Sequence, residues 1–446
     1  MNFHSIFDLY APQSPKLTPG LFESWIAIMN MGNDPISLFN QLHAKHGDIV
    51  RLNLGINQVF LTNHPEHIKY FLHKNASNYQ KIKRLENATK RLFGEGWTDS
   101  INREIVKPFF QAEQYVGMDS QIGDITQQML DRWRTYADNQ QPVDVAAEMM
   151  RLSLSFTAQS FISNDLDGGT NQIAQEIETI MDYLNHRATS LNLPESFPTP
   201  ANRKYLGCVG NLQTEIDRII AEHNPDKSDL ISVLNSWRDP ETGKGLSRTR
   251  LRERLLWMLI PSFEPVGRVL GWVWYLLSLH PNVEQQMHAE IKREIGDRSP
   301  TFADIPSLEY TKAIVQETLR IYPPFWVMGR QAIQDDTIGD FHIRAKSTVL
   351  FNIYGVHHHP QYWDNPEEFY PERFLSNEQN RTAFLPFSIG SRACLGYNLS
   401  LMQIILVIAK ISQIYRLSLL PNQAIKPIAR ASLIPNRSIQ TKIFYK

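Results

Sequence analysis

Phe387-Ser-Ile-Gly390-Ser-Arg392-Ala-Cys394-Leu-Gly396 runs straight into an uncharged stretch, Leu399 to Ala409. The five numbered residues Phe387, Gly390, Arg392, Cys394 and Gly396 form the pattern F-x-x-G-x-R-x-C-x-G. Each residue type has a physical role if Cys394 ligates a metal. Two glycines let the backbone turn tightly around a sulfur. Arg392 supplies a cation that pairs with carboxylates and favours thiolate. Phe387 shields the sulfur from water, which tunes a metal thiolate. A lone cysteine before an apolar helix would be read as a buried structural thiol. Five residues in register favour the ligand.

Working outward, the chain has 446 residues, 42% of them hydrophobic and 20% charged, with a formal net charge of −1. That composition fits a large apolar core and gives no global electrostatic case for nucleic acid. Cys208 and Cys394 are the only cysteines, which excludes a disulfide framework and fits a reducing compartment. Cys208 lacks ligand-like neighbours and reads as a core thiol. Residues 1–20 carry no signal pattern, and no window of 18 uncharged apolar residues occurs. A cytoplasmic monomer with no transmembrane segment is expected.

In chain order, residues 1–25 are punctuated by prolines and are expected to lie extended. Residues 35–46 read as a helix, Asp48 to Leu54 and Gln58 to Thr62 as two strands, and Lys81 to Thr98 as an irregular loop. Arg103 to Phe110 reads as helix, as do 119–165, 169–188 and 202–223, with a polar turn-rich stretch from Asn224 to Gly245. Three prolines break the chain between Asn192 and Pro200. A very long helical pattern from Ser247 to Pro281 is interrupted around Pro261 and Pro265. Helices at 283–295 and up to Arg320 follow, then strands at 338–344 and 347–353. No repeat or linker stands out, so one domain over 1–446 is expected, mainly α with small β-sheets.

Three motifs in order now identify the resemblance. The cysteine loop, Glu317-x-x-Arg320 and Pro371-Glu-Arg373-Phe are together similar to the cytochrome P450 family, and the likeness runs from about residue 34 to the end. It implies the P450 fold, with haem b between a long distal helix and the cysteine-loop helix, and Cys394 as the axial metal ligand. It implies Glu317, Arg320 and Arg373 as a structural triad. Glu317 and Arg320 share a helix face, and a bidentate arginine–carboxylate network would lock the segment carrying the cysteine. For the haem propionates it implies Arg392, Arg330 and Arg103, with His357 as a further haem contact and Phe387 and Gly396 beside the ligand. Arg103 belongs to a W-x-x-x-R element whose first position here is Asp99. The triplet His357-His358-His359 does not read as a zinc site, because consecutive side chains diverge.

The distal helix departs from the family. Its usual acid–threonine pair reads here Pro261-Ser262-Phe263-Glu264-Pro265. Glu264 keeps the acid, Pro265 replaces the alcohol, and Ser262 is a hydroxyl three residues away. Pro265 cannot donate to the carbonyl of Pro261, nor Pro261 to that of Trp257, so a kink or bulge is expected at about 3 kcal/mol per interior proline unless compensated. Glu264, Ser262 and Pro265 are the candidate catalytic positions. Peroxygenase relatives carry proline at the threonine position but arginine before it. Glu264 stands there instead, which disfavours a fatty-acid substrate.

The family analogy draws the substrate pocket from Trp97, Phe197, Phe263, Phe325, Trp326 and Met328, aromatic walls that suit a flat apolar ligand. The expected function is oxidation of a small aromatic natural-product intermediate by hydroxylation, coupling, desaturation or cyclisation. Dioxygen would be the oxidant and a separate ferredoxin with its reductase the electron donor. The alternatives are a peroxide-driven enzyme or peroxide isomerase, and a haem-thiolate sensor without turnover.

Overall fold

The computed structural model describes residues 18–54, 57–94, 100–111, 115, 117–164, 170–189, 194–376 and 381–446. Helices dominate. The longest, Arg248–Leu279, spans 32 residues and is buried along most of its length. It packs along Val145–Ile162, where a Cβ on Gly267 would meet Met150 Sδ at 2.6 Å. That glycine sets how closely the two backbones approach. The helix Tyr397–Ile414 after the cysteine loop is mostly buried in the same core. It alone among the described residues is long and apolar enough to cross a membrane, and its burial marks it as a core helix.

The sheets are small. The largest orders its strands Ile49–Leu54, Asn57–Thr62, Thr348–Asn352, Val327–Ala332 and Tyr79–Gln80. Asn57–Thr62 pairs with Thr348–Asn352 in parallel, across almost 300 residues of chain, and the other pairs are antiparallel. This sheet carries Val327–Ala332 to one wall of the site. A short hairpin of Pro427–Ala429 and Leu433–Pro435 reaches the distal helix from the other side.

Several expectations are corrected. Residues 21–25, expected to lie extended, belong to the helix Leu21–Asn30, because the last proline of that stretch, Pro19, lies before it. Lys83–Phe93 is helical where a loop was expected, and it ends at Gly94 with φ +60°. The stretch 119–165 is two helices, Met118–Asp138 and Val145–Ile162. Gln140 at φ +53° and Pro142 separate them, and Asp144 caps the second through Ala146 N and Ala147 N. Leu230–Ser236 is a helix within the polar stretch, with Asp229 accepting from Ser232 N. The stretch 338–344 turns at Gly339, φ +54°, between strands Asp336–Ile338 and Phe341–Ile343.

The distal helix is the largest difference. It runs on as α-helix through both prolines. Ser153 Oγ donates to the carbonyl of Phe263 at 2.8 Å, and Ser262 Oγ donates to that of Met258 at 2.6 Å. Neither bond reaches the Trp257 and Pro261 carbonyls that the prolines leave without a helical donor; packing along Val145–Ile162 holds a segment that isolated propensity would break.

Candidate functional site

The cysteine loop is a narrow turn pressed against the chain. Ser388 and Gly390 both take positive φ, +60° and +76°. A Cβ on Gly390 would lie 2.1 Å from the carbonyl oxygen of Leu72, so only glycine fits there. Cys394 N–H donates to Phe387 O at 2.9 Å, closing the turn. The Phe387 ring meets Tyr397 edge-on at 4.7 Å. Cys394, Phe387, Arg392 and Gly396 line one cavity of about 380 Å³. Cys394 is exposed toward this cavity, with protein packed behind the sulfur. Enclosure pushes the thiol pKa up, opposed by the Gly396 backbone N–H and by the charge of Arg103.

Across the cavity, the distal helix presents Met258, Pro261, Ser262, Pro265 and Val266. Pro261 and Pro265 are four apart and Ser262 and Pro265 three apart, so they share this face. Glu264 does not. It turns to the opposite side of the helix and lines a second cavity of about 500 Å³ with Phe263 and Arg268. There Ser432 Oγ donates to it at 2.5 Å and Arg268 Nε at 2.9 Å. The expected placing of Glu264 and Phe263 over the cysteine is therefore corrected. A buried carboxylate goes where a cation and a hydroxyl satisfy it.

A cluster of cations borders the first cavity. Lys81, Arg103 and Arg392 line it, and Arg330 lies close enough for Arg392 to act on its charge. Arg103 donates to Ala393 O at 2.5 Å, so it reaches the cysteine loop although the tryptophan of its motif is missing. Burial, then repulsion by Arg392 and Arg330, pushes Lys81 down to about 8. Arg330 is pushed down to about 10 by burial and then by Arg392. Lys81 was not singled out from the sequence. Its one signal is that it directly follows the strand Tyr79–Gln80, which pairs with the strand bearing Arg330.

His357 is corrected as well. Leu385 N–H donates to Nε2 at 2.9 Å, so the hydrogen sits on Nδ1, 3.1 Å from Arg320 O. Both ring nitrogens are engaged with backbone. Burial holds the pKa well below the ordinary histidine value, so the ring is neutral. It ties the Glu317 helix to the approach of the cysteine loop and does not border the cavity. His358 instead stacks on Tyr354 at 3.9 Å, and His359 faces Asp48 at 3.7 Å.

The triad residues come together. Arg320 Nε and an Nη donate to the two Glu317 oxygens, both at 2.8 Å, and Arg373 Nε donates to Oε1 at 3.0 Å. Arg320 also donates to the carbonyls of His357, Pro366 and Glu368. All three side chains are buried. The network pins residues 364–373 onto the helix Glu309–Ile321.

Of the expected substrate-pocket residues, Phe325 and Met328 line the cavity. Trp326 is buried against Phe39, its indole donating to Arg430 O at 2.7 Å, and Phe197 is 55% exposed in the turn before Pro200–Glu222. These two are corrected as pocket residues, and Trp97 lies outside the described residues. Trp326 lies just before the strand Val327–Ala332, and its indole N–H is held by Arg430 O on the side of the Phe39 cluster.

A haem suits this donor set. The sulfur, apolar walls and four clustered cations match a flat apolar group carrying an iron and two carboxylates. Two buried polar atoms of the lining, Ser388 Oγ and Gln403 Nε2, have no partner among the described residues. Comparison with known proteins agrees. The cytochrome P450 family model matches residues 12–443. The chain is 31% identical to cyclooctat-9-en-7-ol 5-monooxygenase of Streptomyces melanosporofaciens, over 92% of both chains. It is 26% identical to pentalenene oxygenase of Streptomyces avermitilis, over 94% of both. The crystal structure of the cytochrome P450 CYP102L1 superposes with a TM-score of 0.84 at 21% identity, covering 98% of this chain and all of that one. With its cysteine loop, cation cluster and buried triad in one fold, the chain belongs to the cytochrome P450 family of haem monooxygenases and oxidases.

Proposed function

We propose that the chain oxidises a bulky, cyclic, largely apolar natural-product intermediate, a terpenoid alcohol or hydrocarbon, with dioxygen and electrons from a separate ferredoxin-type donor. Cys394 would hold the haem iron, and Lys81, Arg103, Arg330 and Arg392 its carboxylates. When bound, that group supplies activation of oxygen for insertion or hydrogen abstraction. The residues supply binding and orientation.

The observation that carries the substrate class is the wall facing Cys394. It is apolar apart from the Ser262 hydroxyl and the Pro261 carbonyl, which Pro265 deprives of its helical donor. One hydroxyl on an otherwise apolar ligand has an acceptor there. Relatives named for cyclooctat-9-en-7-ol and pentalenene support a cyclic terpenoid. Phe156, Phe161, Trp257 and Phe325 line the cavity although Trp326, Phe197 and Phe263 do not, so the preference for a cyclic terpenoid over the expected aromatic substrate rests on those relatives.

The test begins with the reduced, carbon monoxide-bound spectrum, where the thiolate-shifted Soret band is expected. Spin-state titrations then compare cyclic terpene alcohols with flat aromatics. Oxygenated product from a terpenoid, formed only with reductase and ferredoxin, is the expected result. Turnover of aromatics alone would refute the substrate class.

A second reading is a peroxide-driven enzyme. It is favoured by the engagement of both distal groups that could relay protons: Ser262 donates to Met258 O, and Glu264 is held by Ser432 and Arg268. Product formed with hydrogen peroxide and not with reductase would select it. Spectral binding without product in either arm would select the sensor.

A further inference from the structure

The helix Leu21–Asn30 is inside out. Its small residues face the protein: Ser24 is fully buried, accepting from Asn53 N–H at 3.0 Å, and Ala27 packs in a core cluster with Phe39, Val50 and Trp326. Its large apolar residues face outward. Leu21, Phe22, Trp25, Ile26 and Met29 are 64, 75, 57, 39 and 57% exposed. At about 100° per residue they occupy one arc of roughly 140°. Five of the sixteen large exposed hydrophobic side chains among the described residues therefore sit on one ten-residue helix. A surface helix of a globular protein has the opposite arrangement.

We propose that this face docks on a lipid bilayer, with the helix lying in the interface plane and nothing spanning the membrane. Three observations favour lipid over a second copy of the chain. The apolar area offered is about 500 Å², whereas a stable dimer buries about 800 Å² per partner. The single charged side chain of the helix, Glu23, is paired at the surface with Lys45 at 2.7 Å and lies 3.2 Å from a His46 ring nitrogen, so little net charge opposes contact with an apolar phase. Trp25, with an apolar body and one N–H, is the residue type that settles at the headgroup level. The face is also continuous with the catalytic body. Ala27 shares its cluster with Trp326, whose neighbour Phe325 lines the cavity over Cys394. An apolar substrate concentrated in lipid would be held close to the protein.

Contact by apolar side chains, with Lys45 already paired to Glu23, predicts binding that does not depend on anionic lipid. The holoprotein is floated with phosphatidylcholine vesicles, with and without phosphatidylglycerol, at low and high salt. The variants are Phe22→Ser/Trp25→Ser/Met29→Ser and, as a control at apolar sites elsewhere, Leu279→Ser/Leu375→Ser. Expected is flotation of wild type and control with both vesicle types at either salt, and a loss of about tenfold or more in partitioning for the triple variant. The reduced, carbon monoxide-bound spectrum should be unchanged in all three. Wild type that fails to float, or a triple variant that floats as well as wild type, would overturn the proposal. So would a lipid-free dimer in wild type that becomes monomeric in the triple variant, which assigns the face to a second copy.

Discussion

Replacing Glu317 with glutamine removes one negative charge from a site with no solvent. The side chain is fully buried and accepts four hydrogen bonds, from Arg320 Nε and Nη, Arg373 Nε and the backbone N–H of Tyr370. Glutamine keeps the shape but turns two hydrogens toward a guanidinium. Breaking a buried pair from one side costs about 3–5 kcal/mol, because the partner charge stays behind. Here two partners stay behind. Against that, three backbone carbonyls still hold Arg320, and Asp364 O and Asn365 O still hold Arg373. A net loss of about 3–4 kcal/mol is therefore expected, a large fraction of a typical folding stability of about 5–15 kcal/mol. The assay is urea unfolding of the holoprotein, followed in parallel by far-ultraviolet circular dichroism and by the thiolate-shifted Soret band. The Soret transition should come first, since the network pins the segment leading into the cysteine loop. The double variant Glu317→Gln/Arg373→Met should lose less than the sum of its parts, because it removes one stranded cation. A single-variant loss below about 1 kcal/mol with coincident, unshifted transitions would refute the argument.

Three further outcomes are expected. Gly390→Ala forces a Cβ to within 2.1 Å of Leu72 O at φ +76° and should cost about 2–4 kcal/mol, measured as a lower unfolding midpoint and reduced haem content. Asp304 is held at about 2, first by its hydrogen bonds from Arg298 and then by Thr301. With the folded value below the ordinary one, its contribution is full above about pH 4 and disappears as pH falls through about 2. Asp304→Asn should therefore cost about 1–2 kcal/mol at pH 7, discounted because Arg298 is half exposed, and the gap to wild type should close below pH 4 in a melting series. Pro265→Thr restores a donor to Pro261 O and should raise stability by about 1–3 kcal/mol. It should also raise product formed per NADPH consumed, and unchanged coupling would mark the proline as structural.

Much of this protein is fixed by local chemistry and was legible in the chain. The cysteine loop depends on residue types at fixed spacing. Gly390 takes φ +76°, a turn that favours glycine, and Glu317 and Arg320 share a face by helical geometry alone. Such short-range constraints are written in sequence order. The departures arise where distant segments decide. The double-proline helix stays continuous within the packing of Val145–Ile162, which lies about a hundred residues earlier and is fastened to it by the Ser153 bond to Phe263 O. Glu264 turns from the cysteine because Ser432, on a distant segment, and Arg268, on its own helix, satisfy the buried carboxylate. His357 is consumed as a brace by Arg320 O and Leu385 N–H. Lys81 joins Arg103, Arg330 and Arg392 only when four separate segments converge. Sequence alone picked out the cysteine loop and the buried Glu317–Arg320–Arg373 lock. Tertiary structure decided which way each remaining polar side chain points, because a buried charge follows its partners, and those partners lie far away along the chain.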